Sequence, residues 1–575
     1  QTPRRAASAA GSPSKENQLE SQSPAALPVA GQFQSPQQKE ETMRDDARRD
    51  LDIVREIGMP DHFTPYTLYV TCVLSLSWAL TAIPAMLPAF VAPPASGGAV
   101  SISSNSTAPS FFTVIEEFGL DSHSAEYTTI VYFLGSLIIG QMPCAYSDRI
   151  GRMPIVFHSA LWTGVSTLVS AFAPNYPVFL LGRFFQGVFF TAATNVNWVM
   201  VCECVPLSCH GRASIVFGLM WVAGYCIIAP LAVWFPAWRT IFLVTGAATV
   251  VYAIIARLTL RESLAFLVHQ KRRKEALEWI AQAEKFGGTK FSSASLDRLL
   301  MDDGSIHSDE TFCSSDDQAI CKNEVKLSSD EESDSILVLM KKAMMDRKIT
   351  KWMLISVYMW ITDFLVYNGL SMTSTGIKVG DPYLNYALSG FVELPATFIL
   401  PALMDTIGRR PTVILSHIET SLALVAMCFI SIESETLYLI VWLLAKFGTA
   451  SSFIALYIYG SEIFPIQYRN ICLGICCTLG NLGAIAAPYA AHLGLTNPWL
   501  VFAVYAAVSA VSAVLDFGLP ETLHRPSSPT LLEGKQSPPV GRRRRHNQQQ
   551  HEPLLLRFSN STASLSPPPS YSSFS

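Results

Sequence analysis

Charge is what this sequence has least of. Asp, Glu, Lys and Arg make up only 15% of its 575 residues, while 50% are apolar or aromatic. A soluble chain of this length carries about a quarter charged residues. The net charge of −4 supplies no basic surface, which argues against nucleic acid as a partner. No Gly-x-x-x-x-Gly-Lys-Ser/Thr loop occurs, so nucleotide-driven pumping is disfavoured. The twelve cysteines include no Cys-x-x-Cys pair, and Cys72, Cys202, Cys226, Cys428, Cys472, Cys476 and Cys477 lie in or beside apolar runs. They read as small membrane hydrophobes rather than as a disulfide or zinc framework. No nucleophile–base pair or metal triad stands out. An enzyme is the least favoured class, and no cofactor or metal is expected.

What the chain has instead is twelve apolar runs of roughly 20 residues, from 66–90 to 499–519. At about 1.5 Å per residue each can cross the ~30 Å core of a bilayer as a helix. The expected fold class is an all-α membrane protein with twelve transmembrane helices in two six-helix halves. Residues 1–50 are rich in Gln, Ser, Pro and Ala and are expected to be a disordered tail. Residues 51–265 form the first half, 266–350 a polar central loop, 351–523 the second half, and 524–575 a disordered C-terminal tail.

Lys and Arg fall mostly on one side. The loop 91–126 and the connections 174–177, 431–436 and 494–498 have none, and 371–382 has only Lys378. The opposite set holds Arg149, Arg152, Arg212, Arg261, the run Lys271–Lys274, Arg409, Arg410 and Arg469. By the positive-inside rule both termini are cytosolic.

The two halves echo each other. Asp148-Arg149-Ile150-Gly151-Arg152 follows the second run, and Asp405-Thr406-Ile407-Gly408-Arg409-Arg410 follows the eighth. Glu203-x-x-Pro206 with Arg212 closes the fourth, and Glu462-x-x-Pro465 with Arg469 closes the tenth. From Glu203 to Glu262 is 59 residues, as it is from Glu462 to Glu521. A duplicated unit explains this. Charges at helix ends can pair in one conformation and part in another, so Asp148, Arg149, Arg152, Glu203, Arg212, Glu262, Asp405, Arg409, Arg410, Glu462 and Arg469 are candidate gating residues. Read alone, either turn is merely basic.

The paired turns resemble the signature of the major facilitator superfamily. Leu181-Gly182-Arg183-Phe184-Phe185-Gln186-Gly187, Tyr367-Asn368-Gly369-Leu370-Ser371, Val392-Glu393-Leu394-Pro395-Ala396, Tyr468-Arg469-Asn470 and Leu519-Pro520-Glu521-Thr522 are similar to motifs of its organic cation/anion/zwitterion transporter family, with carnitine-like carriers among its members. The resemblance covers most of residues 45–525. It implies alternating-access transport of a small organic solute across the plasma membrane.

Ionisable groups inside a membrane are costly and are functional candidates by default. Counted by depth, Asp363, Glu393 and Asn481 fall near the midplane, with Trp78, Trp221, Tyr225, Trp360 and Tyr367 at similar depth for cation–π contacts. Glu393 has a bland alternative in an ion pair with Lys446, and Asn481 one as interhelical glue. Asn481 occupies a place where the resemblance implies Arg in anion carriers and Asp in cation carriers. With Asp363 and Glu393 both acidic, and Lys446 or Arg183 neutralising one, organic cations or zwitterions are the expected solutes. The rivals are a sugar or neutral-metabolite carrier of the same superfamily and a transport-inactive receptor or scaffold. In the tail, Pro568-Pro569-Ser570-Tyr571 fits the ligand of a WW domain, such as those of ubiquitin ligases.

Asn105-Ser106-Thr107 is an N-glycosylation triplet in the loop expected to lie outside. N-glycosidase should therefore shift the gel mobility of cell-expressed protein, and Asn105→Gln should abolish the shift. An unshifted wild-type band would count against this topology.

Overall fold

A computed structural model describes residues 57–93, 111–206, 209–287, 291, 296–297, 344–377, 380–431, 433–464 and 466–523. Asn105, Pro568, Pro569, Tyr571, both tails, most of the central insert and the side chain of Arg469 lie outside the described residues. Within them, helices follow each of the twelve apolar runs. The first span is Pro65–Met86 continued by Pro88–Val91, the second Ser122–Ile138 with Gln141–Ile150, and the third Arg152–Ala171. The fourth is Tyr176–Cys204, the fifth His210–Cys226 with Ile228–Trp234, and the sixth Trp238–Thr259. Short helices Leu264–His269 and Arg273–Gly287 follow. The seventh span is Arg347–Thr373, the eighth Pro382–Phe391 with Glu393–Ile407, and the ninth Arg409–Met427. The tenth is Glu435–Ile463, the eleventh Ile466–Thr496 and the twelfth Pro498–Asp516.

Ten of these are long and apolar enough to cross a membrane. The other two are the third and the ninth, which hold the same place in each half. Both are interrupted by polar residues, His158, Ser159 and Thr163 in one, His417, Glu419 and Thr420 in the other. Phe172, Trp234, Leu258, Phe429 and Val514 stand exposed on the bundle, which suits a surface solvated by lipid.

Four spans are broken where the sequence reading drew continuous runs. Proline explains each break, because it lacks an N–H and its ring clashes with the carbonyl four residues earlier. Pro88, Pro143, Pro230 and Pro395 follow the breaks at Leu87, Ile139, Ile227 and Val392. The carbonyl that Pro88 leaves unbonded, that of Pro84, accepts from Arg183 Nη1 at 2.8 Å.

Packing repeats between the halves. Spans 3 and 6, 3 and 4, 2 and 4, 1 and 5, and 1 and 4 are matched by 9 and 12, 9 and 10, 8 and 10, 7 and 11, and 7 and 10. The two turns repeat in atomic detail. Arg152 Nη2 lies 2.9 Å from Glu203 and 3.0 Å from Asp148, while Glu262 accepts from the backbone N–H groups of Arg152 and Met153 at 2.8 and 3.1 Å. In the second half Arg409 lies 3.2 Å from Glu462 and 3.1 Å from Asp405, and Glu521 accepts from the N–H groups of Arg409 and Arg410 at 3.0 and 3.1 Å. Each glutamate satisfies open N–H groups at a helix start and meets the positive end of its dipole. Burial pushes the Glu262 carboxyl above its ordinary range. At the more open Glu521 burial pushes the same way, but the N–H donors outweigh it and hold the carboxyl below that range.

Arg149 is exposed. Arg212 contacts the Asp61 carbonyl at 3.4 Å and the Cys209 sulfur at 3.2 Å, with no carboxylate partner among the described residues. Arg410 donates its Nη1 to the Leu519 carbonyl at 3.3 Å. The side chains of these three stand outside the carboxylate clusters that the sequence reading grouped them with. Each described cluster also lies within one half rather than across the two.

Gly151 and Gly408 sit at φ 112° and 108°, ψ 162° and 159°, a region that only glycine occupies comfortably. A Cβ on Gly151 would also run into a Glu262 carboxylate oxygen. Gly151→Ala should cost on the order of 1–3 kcal/mol, visible as a lower melting temperature of purified protein. An unchanged melting temperature would show that the turn relaxes freely.

Candidate functional site

The halves meet along spans 2 and 11 and spans 5 and 8. Hydrogen bonds join them at the end of the bundle opposite the glycine turns. Thr375 Oγ1 donates to the Ala89 carbonyl at 2.8 Å, and Tyr386 OH to the Met86 carbonyl at 3.2 Å. Phe90 stacks on Tyr383 with ring centroids 5.5 Å apart. One level deeper, Tyr225 OH and Ser389 Oγ are 2.9 Å apart, and Trp221 Nε1 donates to Tyr367 OH at 3.0 Å. That end is shut.

Beneath the seal lies a buried ion pair. Lys446, on the tenth span, is fully buried with its Nζ 3.1 Å from Glu393 Oε1. It donates to Ser371 Oγ at 2.6 Å and sits 3.4 Å from the centre of the Tyr367 ring, with the Tyr225 ring at 5.4 Å. The break before Pro395 makes Glu393 the first residue of a new helix. Its carboxylate therefore lies at a helix N-terminus as well as beside an ammonium, and both favour the charged form. An isolated charge here would be prohibitive; a pair is tolerable.

Five of the eight residues expected at the substrate site gather here: Glu393, Lys446, Tyr367, Tyr225 and Trp221. Three do not. Asp363 is 2% exposed inside the second half, where Ser452 donates to its Oδ1 at 2.8 Å and His417 Nε2 lies at 3.2 Å. Spans 9, 10 and 12 enclose it, so it is removed from the central site. Trp360 is buried in an aromatic stack with Phe364 and Tyr457, centroids 5.9 and 4.8 Å away. Asn481 turns its Nδ2 back to the carbonyls of Cys477 and Thr478, both at 3.1 Å. The sequence reading also missed residues. Ser371, Ser389 and Tyr386 carry no charge to draw attention. His417 and Asp516 were polar interruptions in apolar runs and were visible on that ground. Arg239 is a cation at the far end that the loop count left out; Glu117 offsets it at 2.5 Å, and the pair holds the Glu117 carboxyl below its ordinary range.

A paired charge under an aromatic seal, on a duplicated six-helix scaffold, is what a carrier needs. A model of the Major Facilitator Superfamily matches residues 95–373 and 349–565. The chain belongs to this superfamily. Within it, the chain is similar to organic cation transporters at lower identity. A Caenorhabditis elegans protein described as a putative transporter is 30% identical over 469 residues, covering 81% of this chain and 88% of that one. Mouse solute carrier family 22 member 3 is 28% identical over 419 residues, covering 71% and 69%. The Drosophila melanogaster organic cation transporter protein is 25% identical over 402 residues, covering 70% and 69%. Among solved structures, the inward-open xylose transporter XylE of E. coli aligns with a TM-score of 0.55 at 15% identity, over 80% of this chain and 98% of that one. Identity that low speaks for the fold alone. This facilitator is a multi-pass membrane transporter.

The ion pair makes a prediction of its own. Lys446→Met or Glu393→Gln alone strands a buried charge, at about 3–5 kcal/mol, and should deplete the protein from the membrane. The double variant Glu393→Gln/Lys446→Met should restore abundance without restoring transport. Full transport by the double variant would reduce the pair to a structural brace.

Proposed function

We propose that the protein is a carrier of small organic zwitterions or cations, with zwitterions preferred, working by alternating access between the two halves. The observation that supports the preference is the neutrality of the central site. Glu393 and Lys446 cancel, and Asp363 is engaged by Ser452 and His417 rather than presented there, so a simple cation gains less than two acidic groups would give it. A zwitterion can replace both partners at once, its carboxylate taking Lys446 and its ammonium taking Glu393 and the faces of Tyr225 and Tyr367. A simple anion or cation would satisfy one and strand the other. The known chemistry of this scaffold is carriage, so the protein acts as a carrier and not as an enzyme.

With the glycine turns in the cytosol, the shut end faces outside. The conformation described is then inward-facing. The Arg152 and Arg409 clusters brace the cytosolic ends of each half, and Asp148 and Asp405, each with an exposed carboxylate, are the members best placed to exchange partners as the halves close. The plasma membrane is the proposed location, and the tail motif ending at Tyr571 the proposed address for a WW-domain ubiquitin ligase.

The charge argument is tested by uptake of labelled L-carnitine, tetraethylammonium, p-aminohippurate and a hexose. Wild type should take up the zwitterion best, with no competition from the hexose. Measured on the reduced fraction that reaches the membrane, Lys446→Gln leaves one uncompensated negative charge and should move the ratio of cation to anion uptake toward the cation by roughly tenfold; Glu393→Gln should move it toward the anion by a similar factor. Preference unchanged in both variants would sink the charge model, and competition by the hexose would favour a sugar carrier.

A further inference from the structure

A second buried charge cluster has no part in that site. His417 of the ninth span lies between two carboxylates. Its Nδ1 is 2.7 Å from Asp516 Oδ2 of the twelfth span, and its Nε2 is 3.2 Å from Asp363 Oδ1 of the seventh. Each of the three side chains is at most 2% exposed. His417 stands eight residues inside Arg409, so about 12 Å from the turn at the helical rise.

Counting protons shows what the cluster requires. A neutral imidazole offers one N–H and one lone pair. Here both ring nitrogens face carboxylate oxygens, so with both carboxylates ionised a neutral ring aims its lone pair at one of them. Two negative charges would also share a dry interior without a cation. One added proton, on the ring or on the carboxyl facing its lone pair, supplies the missing donor and lowers the charge from two negatives to one.

The neighbours do not supply that positive charge. Among the described residues no lysine or arginine contacts Asp363 or Asp516. The tenth span presents Ser452 at this level, and its Lys446 is engaged by Glu393 of the eighth. Asp405 of the eighth span is held by Arg409 at 3.1 Å. Glu419, on the ninth span itself, is directed at Gly448 of the tenth, its carboxylate 2.9 Å from where a Cβ would stand. His417 fills the gap between the carboxylates with both nitrogens, and no group able to hold a metal ion occurs among the described residues. The ion that fits is a proton.

The geometry points to Asp363, His417 and Asp516 as a proton-binding site that couples carriage to a proton gradient. The link to the central site is short. Two rungs join spans 7 and 10, Ser371–Lys446 and Asp363–Ser452, with the Tyr367 and Phe453 rings stacked between them at 5.2 Å. When the proton leaves, Asp363 and Asp516 repel across the ring, and Asp363 carries the seventh span away from the ninth and twelfth. Tyr367 is on that span and holds Trp221 across the halves. Proton loss is thereby transmitted to the seal.

The coupling rests on the carrier reading, so two measurements on the full chain in liposomes separate them. Labelled L-carnitine and tetraethylammonium are offered with and without an inward proton gradient, in buffer with and without sodium. Wild-type uptake should rise roughly fivefold or more with the gradient, ignore sodium, and fall back with a protonophore. His417→Asn should exchange probe across the membrane yet ignore the gradient. The second readout needs no solute: the rate at which an impermeant maleimide labels Cys226, whose sulfur faces the Ala387 carbonyl at 3.6 Å in the seal, with Cys226→Ser as blank. The thiol's own titration is common to all variants, so the ratio of wild type to His417→Asn isolates the triad. That ratio should change roughly threefold between about pH 6 and about pH 8. A flat ratio, or a gradient effect that survives in His417→Asn, overturns the proton site. A changing ratio with neither probe transported keeps the proton site and overturns the proposed solute class instead. Should His417→Asn fail to reach the membrane, Asp516→Asn carries the same two tests, because it keeps a hydrogen-bond partner for the ring.

Discussion

In a bilayer there is no water to complete a broken hydrogen bond or to shield a charge, and this constraint orders the whole molecule. Each span is helical because only a helix satisfies its own backbone. At the first proline break a neighbouring span takes up the loss. Arg183 does so for the Pro84 carbonyl, and also donates to the Thr128 carbonyl at 3.2 Å and the Gln186 side chain at 2.7 Å, beneath the Tyr132 ring. The break at Val392 goes further. It starts a new helix at Glu393 inside the membrane, where the helix dipole adds to the ion pair with Lys446 that makes the charge tolerable.

The duplicated turns obey the same rule at the membrane surface. In each half one glutamate from the end of the last span closes the open N–H groups of the third span of that half, and a second glutamate holds its arginine. Glycine is required where these meet, both for its backbone angles and because the carboxylate occupies the space of a side chain. The chain order of these residues, and their equal spacing of 59, records the contact directly. Such features were legible in the sequence because their chemistry is local or twice repeated.

The central site was legible in part, and the part that failed shows why. Counting residues along a helix gives depth, and Glu393, Tyr225 and Tyr367, read at similar depth, do lie close together, with Lys446 paired to Glu393 as its alternative reading had it. Asp363 and Tyr367 are one turn apart and both look toward the tenth span, so nothing local separates them. What separates them is which helices cross at each level. The fifth span covers Tyr367, whereas the ninth and twelfth close behind Asp363. That is a tertiary fact, carried by partners 54 and 89 residues away. His417 was passed over for a similar reason: a single histidine on a helix reads as core until its two carboxylates are seen on other spans.

The scaffold is symmetric but its buried chemistry is not. In the first half the deeply buried cation, Arg183, is held by backbone carbonyls, a glutamine and a ring. Those partners carry no charge that could be exchanged, and the carbonyls cannot move without unwinding a helix. In the second half the buried charges are held by other ionisable side chains, Lys446 by Glu393 and His417 by Asp363 and Asp516. Side-chain partners can be exchanged by rotation or by a proton, at a cost that a solute or an ion gradient can supply. In the proposed cycle the first half is therefore the fixed wall, and the second, with two exchangeable clusters joined through the seventh and tenth spans, the half that responds.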